Sequence, residues 1–280
     1  MHVDAFVLLD VVRYEEAAEL FEKAGNNYKL GKCWQDATYV FVKLAECQLK
    51  LDSKHEAATA YVEAFKCANK VDPAKSTELL QLAVGLYTDM GRLNMAARQL
   101  KEIAEVNEKQ GSKDEAITFY NQAAELFECE GSTSEATKCK IKIAEFSAEL
   151  GKYPRAVDIF EDAARRAVEN NLLKFSARGY LLNAGICYLC YGSPDDIEIK
   201  IEKYRDIDLQ FGGSREDTLL TSLQEALRSA DDQAFSTALA EFDKVTRLDA
   251  WKTKILLEAK RRLQDMQLGV GGEDSEDELQ

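Results

Sequence analysis

Small and apolar positions recur along this chain at a step of about twenty residues, the spacing of stacked helical units. Between Tyr14 and Ala167 a small residue follows an acidic or polar one near each predicted helix start. These positions are Ala17, Ala37, Ala57, Thr77, Ala96, Ala116, Ala136 and Ala156. Gly31, Ser53, Asp72-Pro73, Gly91, Gly111, Gly131 and Gly151 punctuate the chain at the same step. Each unit thus holds about sixteen helical residues and a turn, and two units form an antiparallel hairpin of about forty. The pattern predicts an all-α, TPR-like solenoid of antiparallel helical hairpins.

Within the first unit Ala17, Ala18, Leu20, Phe21 and Ala24 keep helical spacing up to Gly31. Val40, Val42, Leu44, Ala45 and Leu49 give the second unit a broad apolar face, as a helix buried on two sides requires. The third is predicted over 55–70, the fourth over 76–90 with Gly91 as its C-terminal cap, and the next two end near Gly111 and Gly131. Ser112 or Asp114 can cap the sixth helix and a residue from Ser132 to Ser134 the seventh. Pro154 opens the eighth, where its missing N–H costs nothing. After a helix over 172–190 the rhythm fails at Gly192, and shorter helices follow over 194–204, 215–229, 232–245 and 249–266. The expected organisation is an irregular apolar segment over 1–13, the solenoid over 14–191, a C-terminal helical bundle over 192–267 and a mobile acidic tail over 268–280.

Composition narrows the function classes. Hydrophobic residues make up 46% and charged residues 31%, which suits a folded, soluble chain. No apolar run is long enough to span a bilayer, and the N-terminus lacks a basic flank and cleavage site, so a cytosolic protein is expected. Fifty acidic against 36 basic residues give a net charge of −14, which argues against nucleic acid as a partner. No enzyme frame is visible: the two histidines, His2 and His55, stand near no nucleophile, and no phosphate-binding glycine loop occurs. The seven cysteines sit in helical patterns and read as buried thiols. Cys187 and Cys190 form a lone C-x-x-C on an apolar helix and lack the further ligands that zinc needs. No metal or cofactor is expected.

One charged feature runs against the net sign. Arg98, Lys138 and Arg178 are spaced by one hairpin, and each follows a small residue (Ala97, Thr137, Ala177). If the register holds, they form a cationic column that Arg92 and Lys174 widen. Charged residues commonly just face water, but three coincidences at the repeat period favour a docking surface for an acidic partner. The acidic run from Glu273 to Glu278, followed by Leu279, is either a solubilising terminus or a hook for a basic partner.

Several stretches resemble one family, the alpha-type soluble attachment proteins of the N-ethylmaleimide-sensitive fusion (NSF) ATPase. They are YEEAAELFEKAGNNYKLGKCW from Tyr14, DSKHEAATAYVEA from Asp52, MGRLNMAARQLKEIAE from Met90, NNLLKFSARGYLL from Asn170 and LDAWKTKILL from Leu248. The resemblance runs from Tyr14 to Gln280, and the GRLNMAAR wording is plant-like. It implies a twisted sheet of helical hairpins whose concave basic face grips the four-helix bundle of assembled SNAREs, syntaxin-type SNAREs included. It also implies recruitment of a hexameric AAA+ ATPase that unwinds the bundle. The family's SNARE-contacting positions match Arg92, Arg98, Lys138, Lys174 and Arg178, and its ATPase-contacting tail matches Asp277, Glu278 and Leu279. The implied adaptor is non-enzymatic, cytoplasmic and peripherally associated with membranes through SNAREs. A generic helical-repeat scaffold holding a peptide terminus is the alternative.

Two departures from the family pattern shape the expectations. Members usually begin with an extra helix and a short hydrophobic loop ahead of the segment matching Tyr14. Here Met1–Arg13 stands in that place, so the expectation is a shortened N-terminus whose membrane contact, through Phe6, Val7, Leu8 and Leu9, is weak. Gly269–Gly272 and Ser275 interrupt the tail, which points to weaker ATPase coupling.

Overall fold

The computed structural model describes residues 5–170 and 173–268. Among the described residues the regular elements are all helices: α1 (Ala5–Leu30), α2 (Trp34–Lys50), α3 (Lys54–Ala68), α4 (Pro73–Asp89), α5 (Leu93–Gln110), α6 (Lys113–Cys129), α7 (Thr133–Glu149), α8 (Tyr153–Glu169), α9 (Lys174–Leu189), α10 (Pro194–Ile207), α11 (Arg215–Arg228), α12 (Asp232–Val245) and α13 (Ala250–Gln267). The chain divides into two compact units, Met1–Lys140 and Ile141–Gln280. Residue 192, the expected start of the C-terminal bundle, lies inside the second unit.

One kind of turn recurs through most of the repeat, the α3–α4 junction at Asp72-Pro73 being an exception. At Gly131, for example, φ is +70°. The Gly131 N–H donates to Glu128 O at 3.0 Å and the Ser132 N–H to Phe127 O at 2.8 Å, the paired bonds of a Schellman turn. The same pair of bonds closes the turns at Gly91, Gly111 and Gly151. It also closes three turns whose left-handed residue is not glycine, Lys32 (φ 56°), Asp52 (φ 56°) and Ala230 (φ 52°). Gly31 is therefore not the turning residue of the first hairpin; Lys32 is. Such turns satisfy the last carbonyls of one helix with backbone alone. The next helix then begins without a side-chain cap at Ser112, contrary to the capping expected there. Ser132 instead donates its hydroxyl to Asn94 Oδ1 at 2.9 Å.

The expectation of an irregular segment over 1–13 is corrected from Ala5 onward, where the chain is already inside α1. Neither Gly nor Pro occurs between Ala5 and Ala24, so nothing interrupts propagation of the helix. The mismatch with the repeat is one of register, not of structure.

In the first unit each helix from α1 to α5 packs on the next. Ala37, Ala57, Ala96 and Ala116 are fully buried, and their small side chains let neighbouring helices approach closely. At the fourth place the series slips by one: Ser76 is buried and Thr77 half-buried. Phe41, Leu44, Tyr61 and Tyr87 fill one core, and Phe65, Leu80, Ile103 and Val106 another.

The second unit is built around α9, which packs against α8, α10, α11 and α13. Leu181, Leu182, Ala184, Ile186, Cys187 and Leu189 are all buried, so the C-terminal half of α9 is enclosed around its circumference, as a central helix must be. Its approach to α11 is tight: a Cβ on Gly185 would stand 2.3 Å from Leu220 Cδ1. Arg262 on α13 closes the C-terminal end of α9, donating from Nη1 to Leu189 O at 2.9 Å and Gly192 O at 2.8 Å.

Candidate functional site

On α5, buried Ala96, Ala97 and Leu100 fix the inward face, and Arg98 is left exposed between them. On α7, buried Ala136 and Cys139 do the same for Lys138, which is also exposed. Polar contacts join these two elements. Lys101 Nζ on α5 lies 3.1 Å from Glu135 Oε2 on α7, and Asn94 Nδ2 at the start of α5 donates at 3.0 Å to Glu130 Oε2 in the turn ahead of α7. Glu135 Oε1 in turn lies 2.5 Å from Lys138 Nζ. Arg98 lies one helical turn before Lys101 on α5, and Lys138 one turn after Glu135 on α7.

Arg92 is the exposed residue that opens α5. Lys174 and Arg178 belong to the second unit, one turn apart at the start of α9 and half-exposed. Lys174 Nζ stands 5.7 Å from the ring centroid of Phe175, within cation–π range. Among the described residues Arg92, Arg98 and Arg178 form no ion pair, as is also true of Lys70, Lys109 and Arg155, whereas Lys66, Lys140 and Arg228 do. Lys138 departs from that pattern through its pairing with Glu135.

Electrostatics follow from this arrangement. Hydrogen bonds from Lys138 and Lys101 hold the Glu135 carboxyl below its ordinary value, and Glu135 in turn raises the Lys138 ammonium. Both groups face solvent, so the pair adds little to stability. Lys101 and Glu135 were not singled out in the sequence. They are 34 residues apart, an offset set by how α5 and α7 lie together and different from the repeat. Lys29 and Glu63, joining α1 to α3, show the same 34-residue offset.

The remaining expectations fall as follows. Phe6, Val7, Leu8 and Leu9 lie on the backbone of α1, but their side chains are outside the described residues, as are Asp277, Glu278 and Leu279. Among the described residues no helix is long and apolar enough to cross a membrane, and no group of His, Cys, Asp and Glu is placed to hold a metal ion. Burial raises the Cys187 thiol and pushes Cys190 up to about 12, as for core thiols. Cys33 and Cys129 correct the reading of all seven as buried: both are exposed, because both sit at helix ends beside turns.

The family model described as soluble NSF attachment protein, SNAP, matches residues 6–264. The alpha-soluble NSF attachment protein of Vitis vinifera is 41% identical over 256 residues, 91% of this chain and 89% of the relative. That of Mus musculus is 36% identical, over 90% of this chain and 85% of the relative. The probable vesicular-fusion protein sec17 homolog of Schizosaccharomyces pombe is 37% identical, over 90% and 88%. Among solved structures, a signal-transduction ATPase with a tetratricopeptide repeat sensor from Pyrococcus horikoshii aligns with a TM-score of 0.54 at 14% identity, covering 91% of this chain and 39% of that one. That likeness concerns the repeat fold alone.

Proposed function

The chain belongs to the soluble NSF attachment protein family, and from that premise we propose that it is an adaptor for SNARE disassembly. It binds the assembled four-helix SNARE bundle, including bundles built on syntaxin-type SNAREs, and recruits and stimulates an NSF-type hexameric AAA+ ATPase in vesicle fusion and intracellular transport. Arg92, Arg98, Lys138, Lys174 and Arg178 provide the SNARE contacts, and Asp277, Glu278 and Leu279 the ATPase contact. The adaptor works in the cytoplasm and meets membranes peripherally, through the SNAREs it holds.

The observation that carries this reading is electrostatic. In a chain of net charge −14, Arg92, Arg98 and Arg178 form no ion pair among the described residues. A cation kept unpaired in an acidic protein is available to an acidic rod, and such complementarity sets orientation and association rate. The role needs no covalent chemistry; force passes from the ATPase through the adaptor to the bundle. Charge reversal tests it. Arg98→Glu with Lys138→Glu abolishes pull-down of an assembled SNARE bundle, and undiminished capture argues for a generic repeat scaffold. A weak membrane contact through Phe6, Val7, Leu8 and Leu9 belongs to the same proposal. Liposome flotation unaffected by Phe6→Ser with Leu8→Ser would remove it.

A further inference from the structure

We propose that Glu135 is a built-in competitor on the docking face, occupying Lys101 and Lys138 until an acidic partner displaces it. This rests on the reading of that face as the site of an acidic partner. The geometry is that of one carboxylate shared by two ammonium groups, 3.1 Å from Lys101 through Oε2 and 2.5 Å from Lys138 through Oε1. Both oxygens are thus committed, and the carboxylate is held ionised. The side chains are 28%, 37% and 62% exposed at Lys101, Glu135 and Lys138, so water and a docking partner reach all three. Exposed pairs of this kind break at little cost.

The consequence for binding is a matter of signs. Arg98, Lys101 and Lys138 would offer three positive charges to a partner, and Glu135 cancels one of them. A partner carboxylate approaching Lys138 competes with Glu135 for the ammonium and meets the opposing charge of Glu135. Glu135 therefore lowers affinity, and it reseats on the lysines when the partner leaves. An adaptor that must let go of its cargo after each cycle gains from such a moderating group. The rival account is purely structural: Lys29, Glu63 and Lys66 make a similar bridge between α1 and α3, and both bridges could serve only to align helices. On that account, replacing Glu135 lowers stability and leaves affinity unchanged or weaker.

The test is an equilibrium titration of a fluorescently labelled, assembled SNARE four-helix bundle with the full chain, Glu135→Gln and Arg98→Glu, each checked by thermal melting. Glu135→Gln binds about two- to fivefold tighter at ~0.1 M salt, the size of an exposed charge interaction, and the advantage fades at several times that salt. Should Glu135→Gln fold poorly, Glu135→Ser is read in its place. If Arg98→Glu loses binding while Glu135→Gln binds no tighter than the parent, the competitor role is overturned and the docking face stands. If Arg98→Glu binds as the parent does, the docking face itself is overturned.

Discussion

Replacing Glu161 tests the polar clamp within the second unit. Glu161 on α8 is 3% exposed. Its Oε1 accepts from Lys200 Nζ at 2.7 Å and from the Tyr204 hydroxyl at 3.2 Å, and both donors stand on α10. Lys203 and Arg165 approach Oε2 at 3.6 and 3.5 Å. Burial opposes the charge, but the hydrogen bond and charge of Lys200, with Lys203 and Tyr204, overcome it and hold the carboxyl below its ordinary 4.5. Breaking a fully buried pair costs about 3–5 kcal/mol. Lys200 retains 23% of its side-chain exposure and can swing its ammonium toward water. Glu161→Ala should therefore cost somewhat less, about 2–4 kcal/mol, and Glu161→Gln, which keeps an acceptor, about 1–2 kcal/mol.

Urea unfolding followed by Trp251 fluorescence measures this cost, in a Trp34→Phe background that removes the other of the two tryptophans. Trp251 reports on the right unit: its Nε1 donates to Glu145 O at 3.0 Å and its ring meets Phe160 edge-on at 5.5 Å. With a slope of about 2 kcal/mol per molar urea, Glu161→Ala lowers the midpoint by about 1–2 M. The folded-state carboxyl titrates below its unfolded value, so its contribution is full above pH 4.5 and fades as pH falls through the lower, folded value. The gap between parent and Glu161→Gln accordingly closes in acid. Equal midpoints at neutral pH, or a gap that persists in acid, would refute the clamp.

Two further substitutions probe the turns and the packing. Ala230→Gly relieves a left-handed residue at φ 52° and should stabilise by about 0.5–1 kcal/mol, read as a higher urea midpoint at Trp251. Gly185→Ala places a methyl 2.3 Å from Leu220 Cδ1, itself fully buried. It should destabilise by about 1–3 kcal/mol despite the better helix propensity of alanine, and a rise in midpoint would mean that α9 and α11 have room to part.

How much of this was legible in the sequence depends on what each residue answers to. The twenty-residue step was readable because backbone geometry demands it: glycine takes the left-handed place at residues 91, 111, 131 and 151, and alanine the crowded seam. Where another residue meets the same demand, the signal vanishes. Lys32 and Asp52 turn the chain without glycine, and Ser76 takes the place to which Thr77 had been assigned. The basic residues on α5 and α7 were found because they share the hairpin period. Their companions Lys101 and Glu135 were not, since the offset between facing helices depends on how those helices lie together. Glu161 was hidden for a related reason. A carboxylate within an apolar stripe is recognisable as buried and paired only once Lys200 and Tyr204 are seen across from it.

The claim that most depends on measurement is that this chain couples a SNARE bundle to an ATPase. A fluorescently quenched, assembled SNARE bundle, incubated with an NSF-type ATPase and ATP, reports disassembly as recovered fluorescence. The account predicts recovery only when the chain is added, its loss with Arg98→Glu and Lys138→Glu, and slower recovery at undiminished bundle binding with Leu279→Ala. Recovery at the same rate without the chain, or with the charge-reversed chain, would contradict it.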